Sequence, residues 1–174
     1  SAGAQYERHW SLIAPHQSEL PKVRKKSWAK NGIDRFVLAR LQQAGLSPAA
    51  EAAPAKLFRR VHLDITGLPP AAADVVAFLA AYRGSKENKD NVLGDWIDKL
   101  MQTSAWGEHR ARYWLDAARY GDTHGLHFDN YREMWPYRDW VIRSFNANQP
   151  FNQFTVEQIA GDLLPKPSTD QLIA

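Results

Sequence analysis

Apolar residues recur at steps of three and four along most of this chain, and no useful run of alternating apolar and polar residues interrupts them. This is the period of an amphipathic α-helix, in which such positions share one face. Pro54 is placed to begin a helix and Gly67 to end it. The sequence therefore predicts an all-α fold, a compact bundle-like array of about seven helices.

The first thirty residues lack the helical period and contain two prolines among scattered charges. We expect residues 1–30 to form an extended N-terminal arm and residues 31–174 to form a single helical domain. Asn31 is a suitable N-cap for the first helix of that domain. Pro70 is expected in the first turn of the third helix, and the last full helix is expected to end near Pro165.

Charge and composition argue against nucleic-acid binding, a membrane span and cysteine-dependent bonds in this chain. Lysine and arginine number 22 against 19 aspartates and glutamates, and both signs are interspersed. The one basic cluster, residues 22–26, is typical of a solvated connector, so we expect no nucleic-acid partner. No apolar run approaches the roughly 20 residues that a membrane-spanning helix needs, so we expect no membrane span in this chain. Because the chain lacks cysteine, it can hold neither a disulfide nor the thioether attachment of haem c.

A dense set of polar residues from Tyr120 to Asn130 interrupts the helical pattern, and two glycines in this stretch predict a loop. Neutral imidazole and carboxylate are ligands for zinc, iron or manganese, and a glycine between two histidines lets the backbone bend so that side chains converge. We therefore predict a site for a divalent metal in this loop. Its candidate ligands are Asp122, His124, His127 and Asp129.

Three charged residues flank this loop and are the candidate catalytic residues: Asp116, Arg119 and Arg132. In the metal hypothesis, Arg119 or Arg132 holds an anionic group of the substrate. A metal-free acid–base or sugar-binding cleft is a second hypothesis for the same residues. A third is purely structural: Asp122 accepts backbone N–H bonds at a turn, while His124 and His127 cap or bridge neighbouring helices.

Six short motifs occur in the order found in one known family. They are His9-Trp10 and residues 33–39, 63–70, 114–120, 135–142 and 157–165. Through them the chain resembles the planctomycete cytochrome-associated domain of unknown function, the second domain of its set (domain of unknown function 1549). The resemblance covers residues 9–174.

The resemblance implies a domain of a large multidomain protein that lies outside the cytoplasm, in the periplasm or the extracellular space. It implies that haem c is bound only by another domain and that the neighbouring domains of the same polypeptide are partners. Carbohydrate or a related polymer is the candidate substrate for processing or oxidation. The family pattern continues past Ala174, so the domain is expected to be cut short at its C-terminus.

The sequence leaves open whether the chain is an enzyme. It contains no nucleophile elbow, phosphate loop or dinucleotide-binding fingerprint, which argues against a serine hydrolase, a kinase and a nicotinamide enzyme. Two alternatives need no catalysis. The domain could be a helical scaffold or interaction module, or it could be a glycan-binding module that uses some of its seven tryptophans.

Overall fold

The computed structural model describes residues 9–24, 26–85, 88–125 and 127–174. Within these ranges the chain forms eight α-helices and no strand, and its β pairing is an isolated antiparallel bridge between Thr123 and Tyr131. The predicted all-α class is confirmed. Lys25, which belongs to the basic cluster, and residues 86, 87 and 126 lie outside the described ranges. None of the helices in those ranges combines the length and the apolar character needed to cross a bilayer.

In the part of the chain that the structure describes, eight α-helices follow one another, and short 3-10 segments lie at Trp10–Leu12, Lys26–Trp28 and Gly161–Leu163. The α-helices are α1 (Gly32–Gln43), α2 (Pro54–Thr66), α3 (Ala72–Gly84), α4 (Lys89–Met101), α5 (Ser104–Ala117), α6 (Trp135–Asn146), α7 (Phe151–Ala160) and α8 (Thr169–Ile173). The first seven correspond to the predicted array. The short α8 was not predicted.

Local chemistry sets the helix ends where the sequence predicted them. The Asn31 side chain accepts the Asp34 N–H at 3.0 Å, and the Asp34 carboxylate accepts the Asn31 N–H at 3.3 Å, so α1 begins with a capping box. Helix α2 ends at Gly67, whose φ of 73° lies in the left-handed region and whose N–H donates to the Leu63 carbonyl. Both ends are confirmed.

Two other predicted helix ends were wrong. Helix α3 begins at Ala72 after the extended residue Ala71, so Pro70 lies outside the helix. Helix α7 ends at Ala160 and the chain enters a 3-10 turn well before Pro165. At that turn Gly161 lies directly against the Gln171 carbonyl of α8, a tertiary contact that helical periodicity does not reveal.

The chain divides into two units, Ser1–Glu51 and Ala52–Ala174. In the first unit, a reciprocal pair of hydrogen bonds joins the segment before α1 to the end of that helix. The Arg24 N–H donates to Gln42 Oε1 at 3.2 Å, and Gln42 Nε2 donates to the Arg24 carbonyl at 2.9 Å. Leu38 of α1 is buried. The proposed domain boundary at residue 30 stays a prediction.

The second unit contains two groups of packed side chains that share α5. Helix α2 packs against α3, α4 and α5. Phe58 of α2 and Phe78 of α3 are fully buried, and their rings stack with centroids 4.3 Å apart. The Trp96 ring of α4 meets Phe58 edge-on at 5.0 Å. Aromatic burial of this size holds the first group together.

The second group of side chains lies between α5 and the last three helices. Helix α5 packs along α6, and α8 packs against α6 and α7. Its buried members are Ala111, Trp140, Val141 and Phe154, and the Trp140 and Phe154 rings stack at 5.0 Å. This packing fixes both ends of the α5–α6 connection, which contains the predicted polar loop.

Candidate functional site

The α5–α6 loop, residues 118–134, begins with the turn that ends α5. Arg119 adopts a left-handed φ of 58°, and its N–H donates to the Asp116 carbonyl at 3.1 Å. The following N–H, that of Tyr120, reaches back to the Leu115 carbonyl at 2.9 Å. These bonds satisfy carbonyls at the end of the helix in the manner of a Schellman motif. The backbone of Arg119 therefore serves to turn the chain away from α5.

The middle of the loop is a short hairpin. The Arg132 N–H donates to the Asp122 carbonyl at 2.7 Å, and the His124 N–H donates to the Asn130 carbonyl at 3.4 Å. The Asn130 N–H in turn donates to the His124 imidazole Nε2 at 3.3 Å. These bonds pair the two sides of the loop, residues 122–124 with residues 130–132.

The tip of the hairpin is closed by a side chain. The Gly125 N–H donates to Asp129 Oδ1 at 2.9 Å. Three residues near the tip have a left-handed backbone, with φ of 67° at Gly125, 46° at His127 and 45° at Asp129. Residues other than glycine adopt this conformation at a cost, so the hydrogen bonds of the loop must hold them there.

The base of the loop is attached to α6 by polar and aromatic contacts. The Tyr120 hydroxyl donates a short hydrogen bond to Asp122, and the Arg138 guanidinium lies 3.9 Å from the same carboxylate and 2.9 Å from Asp139. The Tyr120 ring stacks on Tyr137 at 6.3 Å. Burial, followed by the hydrogen bond to Asp122, raises the pKa of Tyr120 to about 12. Tyr120 therefore stays a neutral hydrogen-bond donor at physiological pH.

The four predicted metal ligands all lie on this loop, and their side chains are exposed. Three of them already hold the loop in shape: Asp122 accepts from the Tyr120 hydroxyl, His124 from the Asn130 N–H and Asp129 from the Gly125 N–H. In the described ranges, no three His, Asp or Glu side chains are grouped as a metal ion requires. The structural hypothesis named other contacts: Asp122 binds a hydroxyl and not a backbone N–H, and His124 accepts from the backbone of its own loop and not from a helix. The metal site stays a prediction.

The three candidate catalytic residues are also on the surface. Asp116 and Arg119 lie at the end of α5, where their backbones form the turn described above. Arg132 contributes its backbone N–H to the hairpin. Their proposed catalytic roles stay predictions.

Sequence reasoning missed the exposed rings of Phe128 and Tyr131, although it noted the tryptophans as possible sugar-binding residues. Phe128 at the tip of the hairpin is 88% exposed and Tyr131 is 64% exposed, while Trp135 at the start of α6 is 47% exposed. Met134 lies beside Trp135 and is also exposed. A signal was present in the sequence, because an aromatic ring within a predicted polar loop has no helical face through which to be buried.

A second polar group lies between α6, α7 and α8. The Glu157 carboxylate accepts from Gln149 Nε2 at 2.8 Å and from Gln171 Nε2 at 3.3 Å. Arg143 pairs with Asp170 at 2.8 Å. These bonds link α8 to its neighbours, so they explain how the short helix is held in place.

A family model named PSCyt2, described as a protein of unknown function (DUF1549), matches residues 32–174. No curated protein matches the chain, and no solved structure does.

Proposed function

The chain belongs to the PSCyt2 family of proteins of unknown function, and we propose that it is an interaction module that binds a neighbouring domain of the same polypeptide through its α5–α6 loop. The observation that supports this most is the 88% exposure of Phe128 on a loop with a hydrogen-bonded backbone. Large rings held out to solvent on a defined backbone are typical of the residues that dominate binding energy at interfaces.

The exposed residues of the loop have the chemistry of an interface. Phe128, Tyr131, Met134 and Trp135 belong to the residue types that are enriched at the centres of protein interfaces. A partner that buries one such ring completely gains about 1.5–3 kcal/mol from the apolar surface removed from water. Two or three rings suffice for a specific contact between domains that a linker already holds together.

The loop is also organised before binding. The Gly125 N–H and the Asp129 carboxylate close its tip, and the Tyr120 hydroxyl and Arg138 engage Asp122 at its base. Ordering a flexible segment on binding costs free energy, whereas these hydrogen bonds of the loop are already in place. These bonds also explain why the loop contains the polar residues that suggested a metal site.

For the whole protein, the resemblance supports a further part of the proposal. The parent polypeptide lies outside the cytoplasm, binds haem c in another domain, and processes or oxidises carbohydrate or a related polymer. In this arrangement the present domain supplies the contact with a neighbouring domain. The same exposed rings could instead stack on sugar rings, and the experiment below separates these two ligands.

Hydrogen exchange of the loop in the full-length protein tests the proposal. If the loop is docked on a neighbouring domain, the peptide that contains Phe128 and Tyr131 exchanges more slowly in the full-length protein than in the separated chain. Phe128→Ala should restore fast exchange, because truncating a central interface ring costs about 2 kcal/mol or more.

Phe151→Ala is the matched control, since Phe151 is also a surface phenylalanine, 70% exposed, but lies on α7. It should leave the protection of the loop unchanged. Equal exchange in the full-length and separated proteins would contradict the proposal. If the loop becomes protected only when a soluble oligosaccharide is added, the glycan-binding alternative replaces the interaction-module proposal.

A further inference from the structure

A cavity of about 270 Å³ lies between α5, α6 and α7, away from the α5–α6 loop. Five aromatic side chains form most of its wall: Trp106, Trp114, Phe145, Phe151 and Phe154. Phe154 is buried in the second packed group, whereas Phe151 is 70% exposed. The cavity therefore extends from the hydrophobic core to the surface.

Two local features build this cavity. Gly107 allows α5 to approach the end of α6: its N–H donates to Asn146 Oδ1 at 2.8 Å, and a Cβ at position 107 would lie 2.5 Å from that side chain. Helix α6 then ends with Asn148 in a left-handed conformation, φ 48°, and the Gln149 N–H donates back to the Ser144 carbonyl at 3.0 Å. The turn leads directly into α7, which carries Phe151 and Phe154.

Among the residues that the structure describes, those lining the wall include no charged side chain. Its polar groups are mostly engaged within the protein. The Trp114 indole N–H donates to the Tyr137 hydroxyl and to Gln158, the Ser144 hydroxyl donates to the Trp140 carbonyl, and Gln149 donates to Glu157. An ionic ligand would lose its hydration here without compensation, and a sugar would find few partners for its hydroxyl groups. A neutral ring would gain both apolar burial and edge-to-face contacts.

The size of the cavity narrows the class of ligand further. An apolar protein cavity of roughly 150 Å³ accepts benzene, and drug-sized ligands occupy about 300 Å³ or more. A cavity of about 270 Å³ therefore suits one or two fused rings. We propose that this pocket is a binding site for a neutral aromatic ring of phenyl to indole size.

Titration of the 174-residue chain with indole, followed by nuclear magnetic resonance, tests this site. The expected result is a saturable shift of the Trp106 and Trp114 indole N–H signals and of the Asn148 side-chain amide, with a roughly millimolar dissociation constant. Benzoate, which is charged, and glucose, which is rich in hydroxyl groups, should not produce these shifts. Phe151→Ala should weaken indole binding by roughly threefold to tenfold, because it removes one aromatic wall.

Phe36→Ala is the control: this exposed phenylalanine lies on α1 and is not part of the cavity wall, so the variant should bind indole normally. N-acetyltryptophanamide presents the same ring on a peptide backbone. If it also binds, the pocket accepts an aromatic side chain of a partner; if only indole binds, it accepts a free aromatic compound. The proposal is overturned if indole produces no saturable shift, if glucose or benzoate binds as tightly, or if Phe151→Ala leaves indole binding unchanged.

Discussion

Gly67→Ala is predicted to destabilise the second unit for two separate physical reasons. Gly67 ends α2 at a φ of 73°, a left-handed conformation that alanine adopts only at a cost. A Cβ at this position would also lie 2.5 Å from the imidazole Nδ1 of His109 on α5. The imidazole must move away before the alanine can fit.

The magnitude follows from these two costs. The left-handed backbone costs about 1–2 kcal/mol for a residue with a Cβ. The His109 ring meets Tyr113 edge-on at 5.8 Å, and moving it forfeits a contact worth about 0.5–1.5 kcal/mol. Together the free energy of unfolding should fall by about 1.5–3.5 kcal/mol, which lowers Tm by about 3–14 °C for a chain of this size.

Urea denaturation measures this loss as a lower midpoint concentration at an unchanged slope. Gly94→Ala is the control: Gly94 lies inside α4, and a Cβ there meets no atom within 4 Å. Because alanine is the better helix former, this substitution should stabilise the protein by about 0.5–1 kcal/mol. The two glycines are thus expected to respond with opposite signs.

A double-mutant cycle with His109→Ala tests the steric part of the argument. Without the imidazole, the alanine at position 67 has no ring to displace, so the double variant should lose less than the sum of the single losses. The expected coupling is at least about 0.5 kcal/mol. Strictly additive losses, or a Gly67→Ala protein as stable as the wild type, would refute the reasoning.

Two further predictions concern histidines. Burial lowers the pKa of His62, and Asp74 opposes this effect. The unfolded chain therefore takes up a proton on this imidazole more readily than the folded chain does. The free energy of unfolding should be fully retained above about pH 6.5 and should fall below it, by up to about 1.4 kcal/mol per pH unit. His62→Leu should flatten this fall in acid denaturation curves, and an unchanged curve would contradict it. For the predicted metal site, elemental analysis should find near-stoichiometric zinc, iron or manganese that disappears in the His124→Ala/His127→Ala variant. Metal retained in that variant, or found in neither protein, would remove the prediction.

Two helix boundaries were predicted correctly because neighbouring residues decide them. Asn31 caps α1 through an amide three residues ahead, and Gly67 ends α2 because it tolerates a positive φ. The prediction failed at the start of α3, and it failed again where distant residues take part. The early end of α7 coincides with the close approach of Gly161 and Gln171. The short α8 begins with a local capping box of Ser168 and Gln171, and side chains of other helices also hold it.

In the candidate site, too, some features were predictable from the sequence and others were not. Its position was predictable, since two glycines and a cluster of polar residues in one stretch preclude a helix. The roles of its side chains were not predictable from the sequence. The imidazole of His124 and the carboxylate of Asp129 accept backbone N–H groups of the loop itself, which became apparent only once the hairpin brought residues four to six positions apart into contact.

The sequence alone determined the all-α class, some helix ends and the existence of the polar loop, because each depends on the period of apolar residues or on bonds between near neighbours. The tertiary structure decided which aromatic rings are buried and which face solvent. Trp114 and Phe154 are forty positions apart, yet they share one wall of a cavity because α5 and α7 pack around α6. Burial is a property of the packed helices together, so no single stretch of residues contains it.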